Sequence, residues 1–179
     1  GSGKSTLLKA IYKGISIDSG ELYVDNVDVS SLQKAKIPYL RRSIGMIFQD
    51  FKLLNDRNIY DNIALPLEIG GIPASDIKDK VFDVLDAVQL SGKENRYPLE
   101  LSGGEQQRVS IARAIVKEPK VLLADEPTGN LDPNISMEIL ELLDMATDSG
   151  TSVIMCTHNY PLIKYKKRNF LELSDGRIR

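Results

Sequence analysis

The chain has almost none of the residues that build disulfide frameworks, metal clusters or membrane spans. It holds one cysteine, Cys156, one histidine, His158, and no tryptophan. A lone cysteine excludes an internal disulfide and a cysteine-based zinc cluster. Long apolar runs are also missing. Val121-Leu122-Leu123-Ala124 is typical of those present, against the roughly 20 consecutive apolar residues a membrane helix needs. Neither sign of charge dominates, because 23 Lys+Arg face 25 Asp+Glu for a formal balance of −2. Such a balance offers no electrostatic reason to bind nucleic acid, and no nucleic-acid partner is expected. With no signal peptide, repeat or low-complexity segment in view, a soluble intracellular protein is the expectation. What remains is ordinary: 179 residues, 42% hydrophobic and 27% charged, enough for one domain that buries roughly 70% of its unfolded surface.

Hydrophobic periodicity divides the chain into alternating elements. A helix starts at Leu7-Leu8-Lys9-Ala10-Ile11-Tyr12, and Gly20 to Val29 alternates around Asp25-Asn26 as a β-hairpin. Pro38–Arg42 reads as a short helix leading into a strand at Ser43–Gln49. From Asn58 to Leu90 the pattern is helical, broken at Gly70-Gly71-Ile72-Pro73, with Val81, Phe82, Leu85 and Val88 on its apolar face. Gly103–Lys117 is a further helix, stopped by Pro119. Strand Lys120–Asp125, helix Asn134–Thr147 and strand Thr151–Thr157 follow, and this alternation predicts a mostly parallel sheet. The segment after Asn169 suggests a strand and turn whose partner is missing or cut short. Cys156, Met145 and Met155 read as core filler, and the basic run Lys164–Arg168 as a solvated surface.

Three short segments carry chemistry. Gly1-Ser2-Gly3-Lys4-Ser5-Thr6 at the head of a helix is the second half of a phosphate-binding loop. Glycines let backbone N–H groups close around phosphate oxygens, and the helix N-terminus adds partial positive charge. Lys4 can reach the β- and γ-phosphates, and the Ser5 hydroxyl can bind Mg²⁺. Alone, the hexapeptide would read as a flexible terminus. Val121-Leu122-Leu123-Ala124-Asp125-Glu126 is an apolar strand ending in two acids. Asp125 is placed to hold the hydration shell of Mg²⁺, and Glu126 to polarise an attacking water. An ordinary strand with an acidic turn is the plainer alternative. Leu101-Ser102-Gly103-Gly104-Glu105-Gln106-Gln107 offers a second anion site before a helix, or a simple capping box with Ser102 as N-cap. A chain with one nucleotide seat has use for such a second site only if it closes over the phosphate loop of another copy.

In order, GSGKST, a strand ending at Gln49, LSGGEQQR, LLADEP, Gly129-Asn130-Leu131-Asp132 and His158 after a strand resemble the ATP-binding-cassette ATPases over essentially the whole chain. The resemblance implies an α/β P-loop NTPase fold with a mostly parallel sheet. A helical subdomain would occupy 58–102, with the core and a partial antiparallel β-subdomain formed by 1–57 and 103–179. It implies an ATPase using ATP and Mg²⁺. Gly1, Ser2, Gly3, Lys4, Ser5 and Thr6 would bind nucleotide, and Ser5, Gln49 and Asp125 would hold the metal. Glu126 would be the catalytic base, His158 would lie near the γ-phosphate, and Gln49 would link metal and water to the helical subdomain. Ser102, Gly103, Gly104 and Asp132 would face the nucleotide of the opposite copy in a head-to-tail homodimer formed on ATP binding.

Within the family, Phe48–Leu54 followed by Arg57–Ala64 is most similar to the branch that acts in cell division, where peptidoglycan hydrolysis is regulated. The ADEPTGNLD form is shared with the lipoprotein-release and macrolide-export ATPases, the alternative role. Either role implies an integral membrane permease as partner and a cytoplasmic position, peripheral on the inner face of the membrane. Ile59, Ile63, Leu65 and Leu67 are more apolar residues than a small lobe is expected to bury, which suggests that a groove beside the Gln49 loop receives that partner. A DNA-repair or chromosome-maintenance cassette fits less well, since the stretch from Lys4 to Ser102 carries no sustained heptads and no cysteine pair. A non-catalytic cassette would usually have lost Glu126 or His158. Family members carry strands ahead of the phosphate loop and an aromatic residue that stacks on adenine. Their absence from this sequence makes a truncated, poorly active cassette with a mobile Gly1–Gly3 the expectation.

Overall fold

The computed structural model describes residues 2–161 and 168–179. Its centre is a parallel sheet of β3 (Ile44–Ile47), β4 (Val121–Asp125) and β5 (Ser152–Cys156), in the order β3-β4-β5. Ile44 pairs with Val121, and Asp125 with Cys156, so all three strands end on the same edge. That edge is where chain reversals gather side chains in α/β proteins. Alternate residues of β4 serve opposite faces: Leu122 and Ala124 join one apolar cluster and Leu123 the other. Both faces are covered, which explains an unbroken apolar run in place of an alternating one.

On one face lie α1 (Lys4–Ile11), the hairpin β1 (Tyr23–Val24) and β2 (Val27–Asp28), and α2 (Ile37–Ser43). The hairpin turn takes positive φ at Asp25 and Asn26, 47° and 61°, as a tight two-residue turn requires. On the other face α5 (Gly103–Ile115) and α6 (Pro133–Asp148) pack against the sheet, and α3 (Ile59–Gly70) and α4 (Ala74–Ala87) pack outside α5. Gly45 permits the close approach of α5 to β3. A Cβ there would lie 2.7 Å from the Ala114 carbonyl oxygen and 2.8 Å from Leu122 Cδ1.

Several sequence expectations change. Ile59, Ile63 and Leu67 are buried in the same cluster as Val109, Ile111 and Leu122, so the core runs without a break from the helical segment into the sheet. The apolar surplus expected on the lobe is thus absorbed internally, by α5. Along α4 the inward face is Ile77, Val81, Val84 and Leu85, while Phe82 is exposed and lies 6.2 Å from the Tyr60 ring. Met145 is exposed, whereas Cys156 is buried as expected. The final strand is not without a partner: β6 (Leu173–Ser174) pairs with β7 (Arg177–Ile178) across a turn at Asp175-Gly176. Most of the basic run, Lys164 to Lys167, lies outside the described residues, as does Gly1. No helix among the described residues is long and apolar enough to cross a membrane.

Candidate active site

Helix α1 opens at the sheet edge with Gly3 as its N-cap, at φ 99°, a left-handed conformation that suits glycine. No side chain caps this end, so the first-turn N–H groups remain available to an anion. The Lys4 ammonium donates to Ser2 Oγ at 3.2 Å and so folds back over the loop. The tail hairpin braces it from the other side, where the Gly176 amide donates to the Ser2 carbonyl at 3.3 Å. Ser5 Oγ donates to Asp125 Oδ1 at 3.1 Å, joining residues 120 positions apart.

Glu126 follows at the end of β4, where φ turns to 49°. Its amide continues the ladder to the Cys156 carbonyl at 2.9 Å. A non-glycine residue held there costs on the order of 1–3 kcal/mol, and such outliers gather at functional sites. Both carboxylate oxygens are engaged by one residue: Oε1 lies 2.9 Å from His158 Nδ1, and Oε2 accepts from the His158 amide at 3.2 Å. The Glu126 side chain is 11% exposed and that of His158 71%, so the carboxylate is sheltered while the imidazole faces outward. Gln49 follows β3 on the same edge. A Cβ on Gly129 would meet its Nε2 at 3.9 Å and Glu126 Cβ at 3.6 Å, which places the Gln49 amide beside the Glu126 turn. Cys156, just behind, is no nucleophile. Burial, then the Asp125 charge, pushes its thiol up to about 11.

A second group of expected residues lies elsewhere. Ser102 is the N-cap of α5, and its amide and hydroxyl donate to Glu105 Oε2 at 2.8 and 2.7 Å. Glu105 also pairs with the Lys93 ammonium, and that pairing, followed by the Ser102 bonds, holds its carboxyl down to about 2. Gly103 is exposed, and a Cβ on it would come within 4.0 Å of Leu131. Gly104 faces inward, where a Cβ would sit 3.0 Å from Ile135 Cγ2, so this glycine lets α5 and α6 approach closely. Asp132 caps α6, accepting from the amides of Asn134 and Ile135 at 3.0 and 3.1 Å. Among the described residues no hydrogen bond joins Ser102 or Asp132 to Lys4, Ser5, Asp125, Glu126 or His158.

The Lys93–Glu105 pair was not foreseen from sequence, because nothing in the spacing of Lys93 marks it as facing the capping box. A divalent cation fits the first group in one way only. No cluster of three or more His, Cys, Asp or Glu able to hold a metal occurs among the described residues. The Ser5 hydroxyl and the Asp125 carboxylate suit Mg²⁺, which takes one or two protein oxygens, keeps waters and completes its shell with phosphate.

A family model described as ABC transporter matches residues 1–129. The chain belongs to the ABC transporter family. This cassette is 46% identical over 178 residues to the cell division ATP-binding protein FtsE of Streptococcus pneumoniae, covering 99% of this chain and 77% of that protein. It is 49% identical to FtsE of Escherichia coli and 48% to FtsE of Mycobacterium tuberculosis, covering 80% and 77% of them. Among solved structures, a dimeric ATP-binding cassette in a post-hydrolysis state with ADP and Pi bound superposes at TM-score 0.87 and 33% identity, covering 99% of this chain and 78% of that one. CbiO1 of Clostridium perfringens, part of an ABC transporter complex, reaches 0.90 at 31% identity, covering 99% and 71%. Membership makes this protein an ATP-binding cassette of the ATP-hydrolysing kind.

Proposed function

We propose that this cassette hydrolyses ATP in a head-to-tail homodimer and passes the resulting motion to an FtsX-like integral membrane permease at the inner face of the membrane, in cell division. The observation that carries the chemistry is the convergence of Ser5, Asp125, Glu126 and His158 at one sheet edge, beneath the open end of α1. In this reading Lys4 and the first-turn amides receive the β- and γ-phosphates. Ser5, Asp125 and Gln49 would hold Mg²⁺, and the ion when bound would offset phosphate charge. A carboxylate has about four acceptor positions and His158 occupies two on Glu126, so lone pairs remain for a water proton. Water oxygen bonds to the γ-phosphorus, the bond to the β–γ bridging oxygen breaks, and Glu126 takes the proton. His158 Nδ1 fixes the carboxylate in that pose, while the outward side of the imidazole meets the γ-phosphate. The Glu126 carboxylate, 11% exposed, is the sheltered partner, and shelter from bulk solvent strengthens its contacts.

The role in cell division rests on the likeness to three FtsE proteins over nearly the whole chain. The test is Mg-ATP turnover by the full-length protein. Glu126→Gln should lower kcat by about 10²-fold or more while ATP still binds, since a positioned general base contributes roughly 10²–10⁴. Lys4→Ala should instead weaken binding itself. Full turnover by Glu126→Gln would remove the base from this account.

A further inference from the structure

The segment that follows Gln49 holds an unusual backbone. Phe51 and Lys52 both take left-handed φ, 57° and 50°, and the Lys52 amide donates across Phe51 to the Asp50 carbonyl at 2.5 Å. Two consecutive non-glycine residues in that region are strained unless something outside the loop fixes them. The fixing groups come from α5. Arg113 Nη1 donates to the Lys52 carbonyl and Nη2 to the Phe51 carbonyl, each at 2.7 Å, and the fully buried Ser110 hydroxyl reaches the Phe51 carbonyl at 3.3 Å. Among the described residues Arg113 has no carboxylate within ion-pair distance. Its planar fork therefore serves the two loop carbonyls, and burial disfavours its charge. At its far end the loop is held by Asn62 of α3, which accepts from the Leu54 amide at 2.8 Å and donates to the Leu54 carbonyl at 3.0 Å.

We propose that Arg113, with Ser110, is a positioning clasp that locks the Phe51–Lys52 corner to α5, so that the Gln49 loop and the Ser102 end of the same helix move as one body. The inference rests on the roles proposed above for Gln49 and Ser102. Gln49 lies two residues before the clasped corner and beside Glu126, within its own copy's nucleotide site. Ser102 lies eleven positions before Arg113 on the same helix, roughly 16 Å away at 1.5 Å per residue. A shift at Gln49 on nucleotide binding is thereby carried to the residues that address the other copy's phosphate. Without the clasp each site would still bind nucleotide, and only their coordination would fail.

The experiment compares the full-length protein with Arg113→Met, Arg113→Lys and the double variant Arg113→Met/Lys52→Gly. Glycine takes the left-handed conformation without strain, so the double variant separates relief of strain at position 52 from loss of the link to α5. Arg113→Met should lower kcat by about tenfold or more, the scale of losing charge-assisted hydrogen bonds, with ATP affinity by calorimetry within about twofold. Arg113→Lys should fall between, since an ammonium cannot serve both carbonyls as a planar fork does. Lys52→Gly in the Arg113→Met background leaves the loop unjoined to α5, so turnover should stay low, and full recovery would overturn the coupling. Parallel loss of turnover, affinity and cooperative unfolding would reduce Arg113 to a fold-holding residue, and unchanged turnover would overturn the clasp. Hydrogen exchange of the 50–54 amides without nucleotide gives a readout independent of hydrolysis, expected about tenfold faster in Arg113→Met. If the unaltered protein lacked ATP turnover, the proposed function would fall, while unchanged exchange at 50–54 would overturn the clasp separately.

Discussion

At the scale of single residues, Glu126 and Glu105 are two carboxylates in contrasting settings. Glu126 sits in a left-handed backbone at a strand end with both oxygens on His158. Glu105 sits in a helix first turn between an ammonium and the cap serine. Its carboxyl lies well below the ordinary 4.5, at about 2, chiefly through Lys93. A depressed carboxyl contributes stability that is fully present above about pH 4.5 and fades as pH falls through about 2. Glu105→Gln should therefore cost about 1 kcal/mol at pH 7, the scale of a cap and a partly exposed pair. Urea unfolding should show that difference shrinking toward pH 2.5. A difference that stayed constant with pH would contradict this assignment. The same contacts engage the Ser102 hydroxyl within its own turn, so reaching a neighbouring copy's phosphate requires it to leave Glu105.

At the scale of elements, Gly45 illustrates what pattern alone cannot supply. Gly45→Ala should destabilise by about 1–3 kcal/mol, as overpacking does, because the nearest obstacle is the backbone oxygen of Ala114. The lowered urea midpoint should come with unchanged ATP turnover per folded molecule, and an unshifted midpoint would refute the close contact. Nothing beside Gly45 in the sequence announces that contact, since it joins residues far apart in the chain. The β4 strand, by contrast, was legible from its apolar run and terminal acids, and α5 from its periodicity and capping box. Asp25-Asn26 marked the hairpin because a turn with two positive φ values favours those residues. Phe82 was placed inward by spacing, yet α4 turns Ile77 and Val84 to the core instead. Gly104, expected to face the opposite copy's nucleotide, also lets α5 pack closely on Ile135, a role that no motif announces. The Arg113 contacts were invisible for the same reason as Gly45: they depend on where the Gln49 loop comes to rest on α5.

At the scale of the whole molecule, the described chain presents one group of residues built around Ser5, Asp125, Glu126 and His158, and a separate group at the open ends of α5 and α6. In the proposed homodimer, a second copy turned head to tail would bring the two groups together. For the permease contact we propose the loop ending in Leu54, which is partly exposed and held by α3. Leu54→Glu should abolish co-purification with the membrane subunit while ATP turnover by the isolated protein persists, and undiminished co-purification would move the contact elsewhere. The shared site itself is tested most directly by sedimentation of full-length Glu126→Gln with saturating Mg-ATP. It should sediment as a dimer with ATP and as a monomer with ADP, while Glu126→Gln/Ser102→Arg should bind ATP yet remain monomeric. A Glu126→Gln protein that stayed monomeric with ATP, or a double variant that still dimerised, would contradict the account.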